Sequence, residues 1–548
     1  MTSGHRYLAE ALAACEIRHF FHVPLVLPQA VKEMQALGVQ PIVAHAEKAA
    51  AYMADGYARA SGRLGVCAAQ AIGAANLAAG LADALMARSP VLALSGGGSP
   101  ETRERNTYQE IDQRPIWAGL TRMSARVEDA RRLPDLLGQA MRVATGGVPG
   151  PVHLELNGFT GGVLDGAVET TMAPDPRWAL CPSIRHPAPE ADVASACAAI
   201  ARAERPVVVA GSGIRASGAQ EALARFVNRL GLPLATSLDA KAVLPDGDPL
   251  CAGVAGTYSR DSANRIVAEA DLVLFAGTTT GNMVTAGWSV PKPGIPAIQI
   301  DVDPRELGRN YTLVAALAGD PATILDQLSA AMPAPAERTA WLQRVAALKR
   351  QWTETVEEWE SANRLPVRPE RLHREISRAL PRDALVVVDT GHAAAWAARH
   401  LYLEHPGQAL LRAAGSLGWA YPAALGAKCA RPGRPVVCLC GDGGFLYHLS
   451  EMETAVRYGI ATVTIVSNNH GYSQEKPIWD ESAEYDHNWR FAPVSYADAA
   501  RAFGCRAWRV ERPQDIGPAI AEALAAEAPA IVEVISDETV TVPPPWVP

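Results

Sequence analysis

Pro435-Val436-Val437-Cys438-Leu439-Cys440-Gly441-Asp442-Gly443-Gly444-Phe445 runs an apolar strand straight into three glycines around a single carboxylate. A short apolar run bounded by glycine reads as a buried strand, and the glycines beyond it let the backbone close on an anionic ligand. The helix expected next, His448 to Tyr458, offers amides and a dipole to a phosphate. Asp442 stays free to hold a hard cation. A further strand, Thr462 to Val466, leads to Asn468-Asn469. Two adjacent strand ends would then present a carboxylate and an amide oxygen to one ion, the arrangement by which Mg²⁺ or Ca²⁺ bridges a protein to a diphosphate. A glycine turn after a strand reads equally as a tight connection to a helix. The asparagine pair is what favours the ion.

Working outward, short apolar runs alternate with amphipathic helical patterns along the whole chain. Strands are expected at Leu64 to Ala69, Val91 to Leu94, Pro206 to Ala210, Leu272 to Phe275, Ala297 to Val302, Ala384 to Val388, Val436 to Leu439 and Ala530 to Ile535. Helices are expected around Glu47 to Ala60 and Gly73 to Ala87. This alternation predicts α/β architecture with doubly wound parallel sheets, whose ligands sit beyond the carboxyl ends of the strands. Two prolyl stretches divide the chain. Met172 to Glu190 reads as a linker, and Pro333 to Pro369 as a connector around a helix from Arg338 to Asn363. Three domains follow, at 1–171, 190–332 and 370–548, with the helical connector at 333–369.

The 548 residues are 49% hydrophobic and 20% charged, which excludes a disordered chain. Fifty Lys and Arg against 58 Asp and Glu leave a charge of −8 without long runs of one sign, so neither nucleic acid nor membrane is the expected partner. No apolar run approaches the ~20 residues of a membrane span. Arg6, Glu10 and Glu16 stand where a signal peptide needs an apolar core, so a cytoplasmic location is expected. Nine cysteines at irregular spacing, the nearest pair being Cys438 and Cys440, read as reduced, mostly buried thiols.

Gly441-Asp442-Gly443, then 24 residues, then Asn468-Asn469 resembles the thiamine diphosphate signature. Glu47-Lys48-Ala49-Ala50-Ala51-Tyr52-Met53-Ala54-Asp55-Gly56-Tyr57-Ala58-Arg59 is similar to the first-domain helix of acetolactate synthase-like enzymes. Gly415-Ser416-Leu417-Gly418 before Pro422-Ala423-Ala424-Leu425-Gly426-Ala427 is similar to their third domain, and Gly150-Pro151-Val152-His153-Leu154 to the end of their first. The resemblance covers nearly the whole chain. It implies pyrimidine-binding, middle and diphosphate-binding domains. It further implies that Asp442 and Asn469 bind Mg²⁺ through side chains and Gly471 through its carbonyl. Gly441, Gly443, Gly444 and the segment Thr390-Gly391-His392 would meet the diphosphate, although relatives often carry glutamine where His392 stands.

Glu47 opens an Ala-rich helix, where a glutamate commonly serves only the helix dipole. The resemblance gives it another role: a hydrogen bond to a pyrimidine nitrogen that lets the cofactor deprotonate its own thiazolium, for which a carboxylic acid in an apolar pocket is suited. Leu417 would press under the bent cofactor and the Gly415 carbonyl would accept from the pyrimidine amino group. In an otherwise unrelated loop, Leu417 would read as plain core.

Several segments depart from the family pattern. Gln70-Ala71-Ile72-Gly73 replaces a Ser-Gly-Pro-Gly segment while keeping Gly73 and Asn76 for the cofactor, and Leu25 and Val26 after Pro24 predict an apolar pocket wall. Tyr108-Gln109-Glu110 matches Phe-Gln-Glu, which makes Gln109 a candidate to touch the substrate or an intermediate. His470-Gly471-Tyr472-Ser473-Gln474-Glu475-Lys476-Pro477 differs from the corresponding stretch of acetolactate synthases, which argues against acetolactate synthesis itself. His470, Tyr472, Gln474 and Trp479 are specificity candidates there, and Tyr472 is also placed at the cofactor. In the middle domain Gly211-Ser212-Gly213, Gly277 to Asn282 and Asp301-Val302-Asp303-Pro304 lack dinucleotide spacing, and the Arg-rich segment that acetolactate synthases show after the third strand is absent, so the resemblance implies no flavin here.

The expected function is a thiamine diphosphate- and Mg²⁺-dependent lyase or transferase that cleaves or forms a C–C bond next to a carbonyl, acting on a 2-oxo acid or hydroxy-ketone. The alternatives are an FAD-assisted oxidoreductase of the pyruvate oxidase kind and a non-catalytic subunit, against which intact Glu47 and Asp442 argue. Glu47 and Asp442 lie in different domains and one cofactor must touch both, so the first and third sheets are expected to meet edge to edge at their carboxyl ends. In the family this happens between subunits, which implies a homodimer or homotetramer with interfacial active sites.

Overall fold

The computed structural model describes residues 1–169, 173–333, 337–479 and 483–548. Three six-stranded sheets, parallel throughout, carry the chain. The first contains β1 (His19–His22), β2 (Gln40–Val43), β3 (Gly65–Ala69), β4 (Val91–Gly97), β5 (Met123–Val127) and β6 (Val152–Asn157), in the order β2-β1-β3-β4-β6-β5. Every residue of β3, β4 and β6 is buried, as strands between two helical layers are, including the polar His153, Glu155 and Asn157 of β6. α1 (Glu47–Ser61) and α2 (Gly73–Met86) cover it.

The middle sheet contains β7 (Pro206–Ala210), β8 (Leu234–Thr236), β9 (Cys251–Val254), β10 (Leu272–Ala276), β11 (Ala297–Asp301) and β12 (Leu313–Ala318), ordered β9-β8-β7-β10-β11-β12. α3 (Thr339–Ser361) then leads into the third sheet. That sheet comprises β13 (Leu385–Val388), β14 (Ala409–Arg412), β15 (Val436–Gly441), β16 (Val463–Asn468), β17 (Arg506–Val510) and β18 (Ala530–Ile535). Its order, β14-β13-β15-β16-β18-β17, repeats that of the first sheet. α4 (His392–His400), α5 (Ala420–Ala430), α6 (Asp442–Leu446) and α7 (Glu451–Tyr458) belong to this block.

β7 and β18 coincide with their expected bounds, and the other strands differ from theirs by one to three residues at an end. β4, expected to end at Leu94, continues to Gly97 because Ser95, Gly96 and Gly97 still pair with Glu155, Leu156 and Asn157. One serine and two glycines hid a ladder that the backbone alone makes. The helix expected from His448 to Tyr458 is α7, which starts at Glu451, and a second short helix, α6, precedes it and begins at Asp442 itself. Gly443 and Gly444 continue the helix rather than forming a turn, which brings its amino end onto the carboxylate. The prolyl linker holds one short turn, Pro176–Ala179, capped by the Asp175 side chain. Thr171 and Met172, at the ends of expected segments, lie outside the described residues.

Within one chain the first and third blocks meet by helices. α1 packs on α5, and Ala49 to Ala54 share one buried cluster with Trp419 to Ala427. The approach is reciprocal: a Cβ on Gly56 would collide with the Ala423 carbonyl, and one on Gly426 with the Met53 carbonyl. Small residues on both faces permit this backbone contact. All nine cysteines are free and seven are buried. Among the described residues no helix is long and apolar enough to cross a membrane.

Candidate active site

In the third sheet, β13 and β15 are neighbours from whose carboxyl ends the chain leaves in different directions, a switch point where doubly wound sheets open a crevice. A cleft of about 470 Å³ lies there. It is lined by Thr390, Gly391 and His392 after β13, by Gly441 to Gly444 after β15, by Asn469, Gly471 and Tyr472 after β16, and by Leu417. With Gln474, twelve of the residues singled out in the sequence thus share one cavity.

Asp442 is only 2% exposed. Its Oδ1 accepts from the Gly443 amide at 2.7 Å and its Oδ2 from the Gly471 amide at 3.0 Å. Burial, partly offset by these amides, pushes its carboxyl up to about 7. No Lys, Arg or His stands within ion-pair distance of it among the described residues, so the carboxylate suits a cation from outside the chain.

Asn469 donates through Nδ2 to Ser473 Oγ at 2.7 Å, which leaves Oδ1 as its free ligand atom. Ser473 Oγ in turn lies 3.0 Å from His392 Nδ1. Having accepted from Asn469, the hydroxyl still has its own proton and a second lone pair, so it bonds Nδ1 in either imidazole tautomer. Burial brings His392 down to about 4, so the ring is a neutral donor. One hydroxyl therefore orients both the Asn469 amide and the His392 imidazole.

The residues present fit a metal-bound diphosphate. A Cβ on Gly443 would enter the Tyr472 ring, and one on Gly444 would stand 2.6 Å from Asp389 Oδ2, so only glycine leaves the cradle open. The oxygen set of one carboxylate, one amide and one carbonyl suits Mg²⁺, which keeps waters and takes phosphate oxygens. Among the described residues no three His, Cys, Asp or Glu gather into a metal cluster. Two expected amide donors are otherwise engaged. Thr390 donates to Asp389 Oδ1 at 2.8 Å and Gly443 donates to Asp442, because each carboxylate caps the amide that follows it. Gly391, Gly444 and His392 remain in the cleft lining. The Gly471 carbonyl already accepts from Ser473 N at 2.9 Å and retains one lone pair.

Glu47, Gly73 and Asn76 form a second group, at the amino ends of α1 and α2. Asn76 Nδ2 donates to Glu47 Oε2 at 3.3 Å, and a Cβ on Gly73 would stand 2.7 Å from Glu47 Oε1. The group does not line the Asp442 cleft, and neither does Gly415. Gln109 sits in a left-handed turn (φ 60°) with Oε1 buried and unbonded. Leu25 is exposed, and of the specificity candidates only Tyr472 and Gln474 line the cleft.

Three family models match this chain in order. The thiamine pyrophosphate enzyme N-terminal TPP binding domain matches residues 2–116, the central domain 193–328, and the C-terminal TPP binding domain 389–534. The chain belongs to the thiamine pyrophosphate enzyme family. It is 30% identical over 520 residues to the "Probable acetolactate synthase large subunit" of Methanocaldococcus jannaschii, covering 92% of this chain and 86% of that one. It is 27% identical to acetolactate synthase isozyme 2 large subunit of Escherichia coli (98% and 96%) and 26% to the acetolactate synthase large subunit of Lactococcus lactis subsp. lactis (97% and 92%). This thiamine pyrophosphate enzyme is thus acetolactate synthase-like.

Two supporting carboxylates of the enzyme escaped the sequence reading. Glu451 on α7, fully buried, accepts the amides of His45 at 3.0 Å and Ala46 at 3.2 Å and so fixes the chain as it turns into α1 before Glu47. Asp83 on α2 accepts the amides of Ala414, Gly415 and Ser416. Nothing in a lone Glu or Asp of an amphipathic helix signals a bond to main chain hundreds of residues away. The glycine turns of the middle domain line a separate cavity of about 290 Å³ together with Arg88 and Asp301.

Proposed function

We propose that the enzyme uses thiamine diphosphate and Mg²⁺ to break or form a C–C bond next to a carbonyl, with a 2-oxo acid as donor. The observation that carries this reading is the single cleft joining Asp442, Asn469, Gly471 and His392 at the β13/β15 switch point. In it Asp442, Asn469 Oδ1 and the Gly471 carbonyl hold the cation, while Gly391, His392 and Gly444 receive the diphosphate. Leu417 shapes the cofactor, Gly415 offers its carbonyl, and Glu47, with Gly73 and Asn76 beside it, holds a proton at the pyrimidine ring. The cofactor supplies an electron sink for carbanion chemistry. Gln109, with an unbonded buried oxygen, is the substrate-facing candidate. The relatives' names support the non-oxidative reading over the flavin-assisted alternative.

The active site on this proposal is shared between two copies of the chain. In support, Glu47 and Asp442 belong to groups that do not line a common cleft in one chain, and Ile72, Leu446 and Tyr447, beside the two groups, are all more than a third exposed. Incubation of the enzyme, cofactor and Mg²⁺ with a panel of 2-oxo acids, with products identified by mass spectrometry, tests the reaction. Consumption of a 2-oxo acid with release of CO₂ or a ligated hydroxy-ketone is expected. A panel left unreacted by fully loaded enzyme would refute the donor class.

A further inference from the structure

A third cavity, about 300 Å³, opens between all three domains on the side away from the active site. Its lining includes Pro90 just before β4, Leu385 and Ala409, the first residues of β13 and β14, and Arg434 just before β15. It therefore lies at the amino ends of strands whose carboxyl ends carry the cofactor groups.

The lining contains six arginines, Arg59, Arg88, Arg185, Arg215, Arg431 and Arg434, and no Asp or Glu, in a chain whose net charge is −8. Three of the six have carboxylate partners: Arg59 with Asp55 and Asp83, Arg88 with Asp301 and Glu306, and Arg185 with Asp320. The others have none within ion-pair distance among the described residues. Arg431 and Arg434 donate to main-chain carbonyls only, of Ala60 and Ser61 and of Asp383, Ala384 and Gly407. Arg215, on the short helix Ser212–Ala216, has a buried Nε without any partner. Burial and the neighbouring Arg59 guanidinium bring Arg215 down to about 10, against the weaker pull of Asp239 and Asp55.

A second kind of group points the same way. Ser89 is 2% exposed, lines this cavity, and its Oγ has no hydrogen-bond partner. Buried hydroxyls and guanidinium N–H groups without partners are costly, and a site that brings two of them, Ser89 Oγ and Arg215 Nε, to one open space beside further guanidiniums without a carboxylate is built for the anion that would satisfy them.

We propose that this inter-domain cavity binds a phosphoryl anion, with the uncompensated Arg215, Arg431 and Arg434 and the Ser89 hydroxyl as its receptors. Guanidinium forks match phosphate oxygens two at a time, and a hydroxyl completes a tetrahedral set better than a planar one. The volume leaves room for an organic phosphate beyond the bare ion. Such a ligand would draw the three domains together from behind the active site.

The test uses holoenzyme saturated with thiamine diphosphate and Mg²⁺, so that the diphosphate cleft is filled, and inorganic phosphate as the probe. Phosphate should raise the thermal midpoint beyond sodium chloride of equal ionic strength. Arg215→Met should be at least as stable as the wild type in chloride, since an unpartnered buried cation is gone, and should lose the phosphate-specific gain. Ser89→Ala, which removes only an unbonded hydroxyl, should keep the fold and weaken phosphate by about tenfold in calorimetry. A phosphate effect no larger than that of chloride, or one that survives in both variants, overturns the proposal.

Discussion

Asp83 Oδ2 accepts the amide of Gly415 at 3.0 Å across 332 residues of sequence. The same carboxylate takes Ala414 and Ser416 at 2.9 Å each and Arg59 Nη2 at 2.9 Å, and it is 1% exposed. A first-domain side chain thus holds the loop that leads to Leu417. Asp83→Asn keeps the volume but turns an amine toward at least one of three amides. Thermal stability should fall by about 1–3 kcal/mol. Cofactor affinity, followed by tryptophan fluorescence, should weaken about tenfold as Gly415 and Leu417 lose their anchor. Unchanged affinity would detach the loop from cofactor binding.

The contact of α1 with α5 depends on two hydrogens. Gly426→Ala places a methyl group against the Met53 carbonyl, and neither backbone can yield without moving a helix. Overpacking of this kind costs about 1–3 kcal/mol or more. Chemical denaturation should show the loss in Gly426→Ala and little change in Gly433→Ala, where a Cβ meets nothing within 4 Å.

Burial pushes Asp389 up to about 7 in the folded chain, against the amides of Thr390 and Gly418. Its unfolded value is near 4. Between these values the folded state binds the extra proton, so stability falls as pH rises from about 4 to about 7 and then levels off. Protein stripped of cofactor and cation should therefore lose stability from pH 5 to pH 7, and Asp389→Asn should reduce that slope, leaving the share that Asp442 contributes. An equal slope in the variant would assign it to other groups.

Glu47→Gln preserves size and the bond with Asn76 but cannot hold a transferable proton. Exchange of the cofactor's C2 proton should slow by orders of magnitude while binding persists. If the site is shared between copies, mixing Glu47→Gln with Asp442→Ala restores part of the activity, because a mixed dimer has one site carrying both changes and one carrying neither. No recovery after verified subunit exchange would place the site within one chain.

Much of this was legible in sequence because it is local. Gly441 to Gly444 follow an apolar run, Asn469 ends the next, and the strand-helix alternation fixes parallel sheets around them. The start of α6 was misread because two glycines look like a turn, yet helical geometry is open to them. Asp83, Glu451 and Ser473 were invisible for a different reason. Their partners are backbone amides or a ring nitrogen 81 to 406 residues away, and such a bond leaves no trace in the spacing of residue types.

The central claim is that the Asp442 cleft holds a cation-bridged diphosphate, and calorimetry of thiamine diphosphate binding tests it most directly. A helix dipole alone contributes only ~0.3–1 kcal/mol in exposed settings, so glycine amides without a cation should hold a diphosphate poorly. Wild-type enzyme should bind the cofactor tightly with Mg²⁺ and lose it to chelator, and Asp442→Ala should bind weakly under both conditions. Cofactor binding by Asp442→Ala that matches the wild type and ignores chelator would contradict the account.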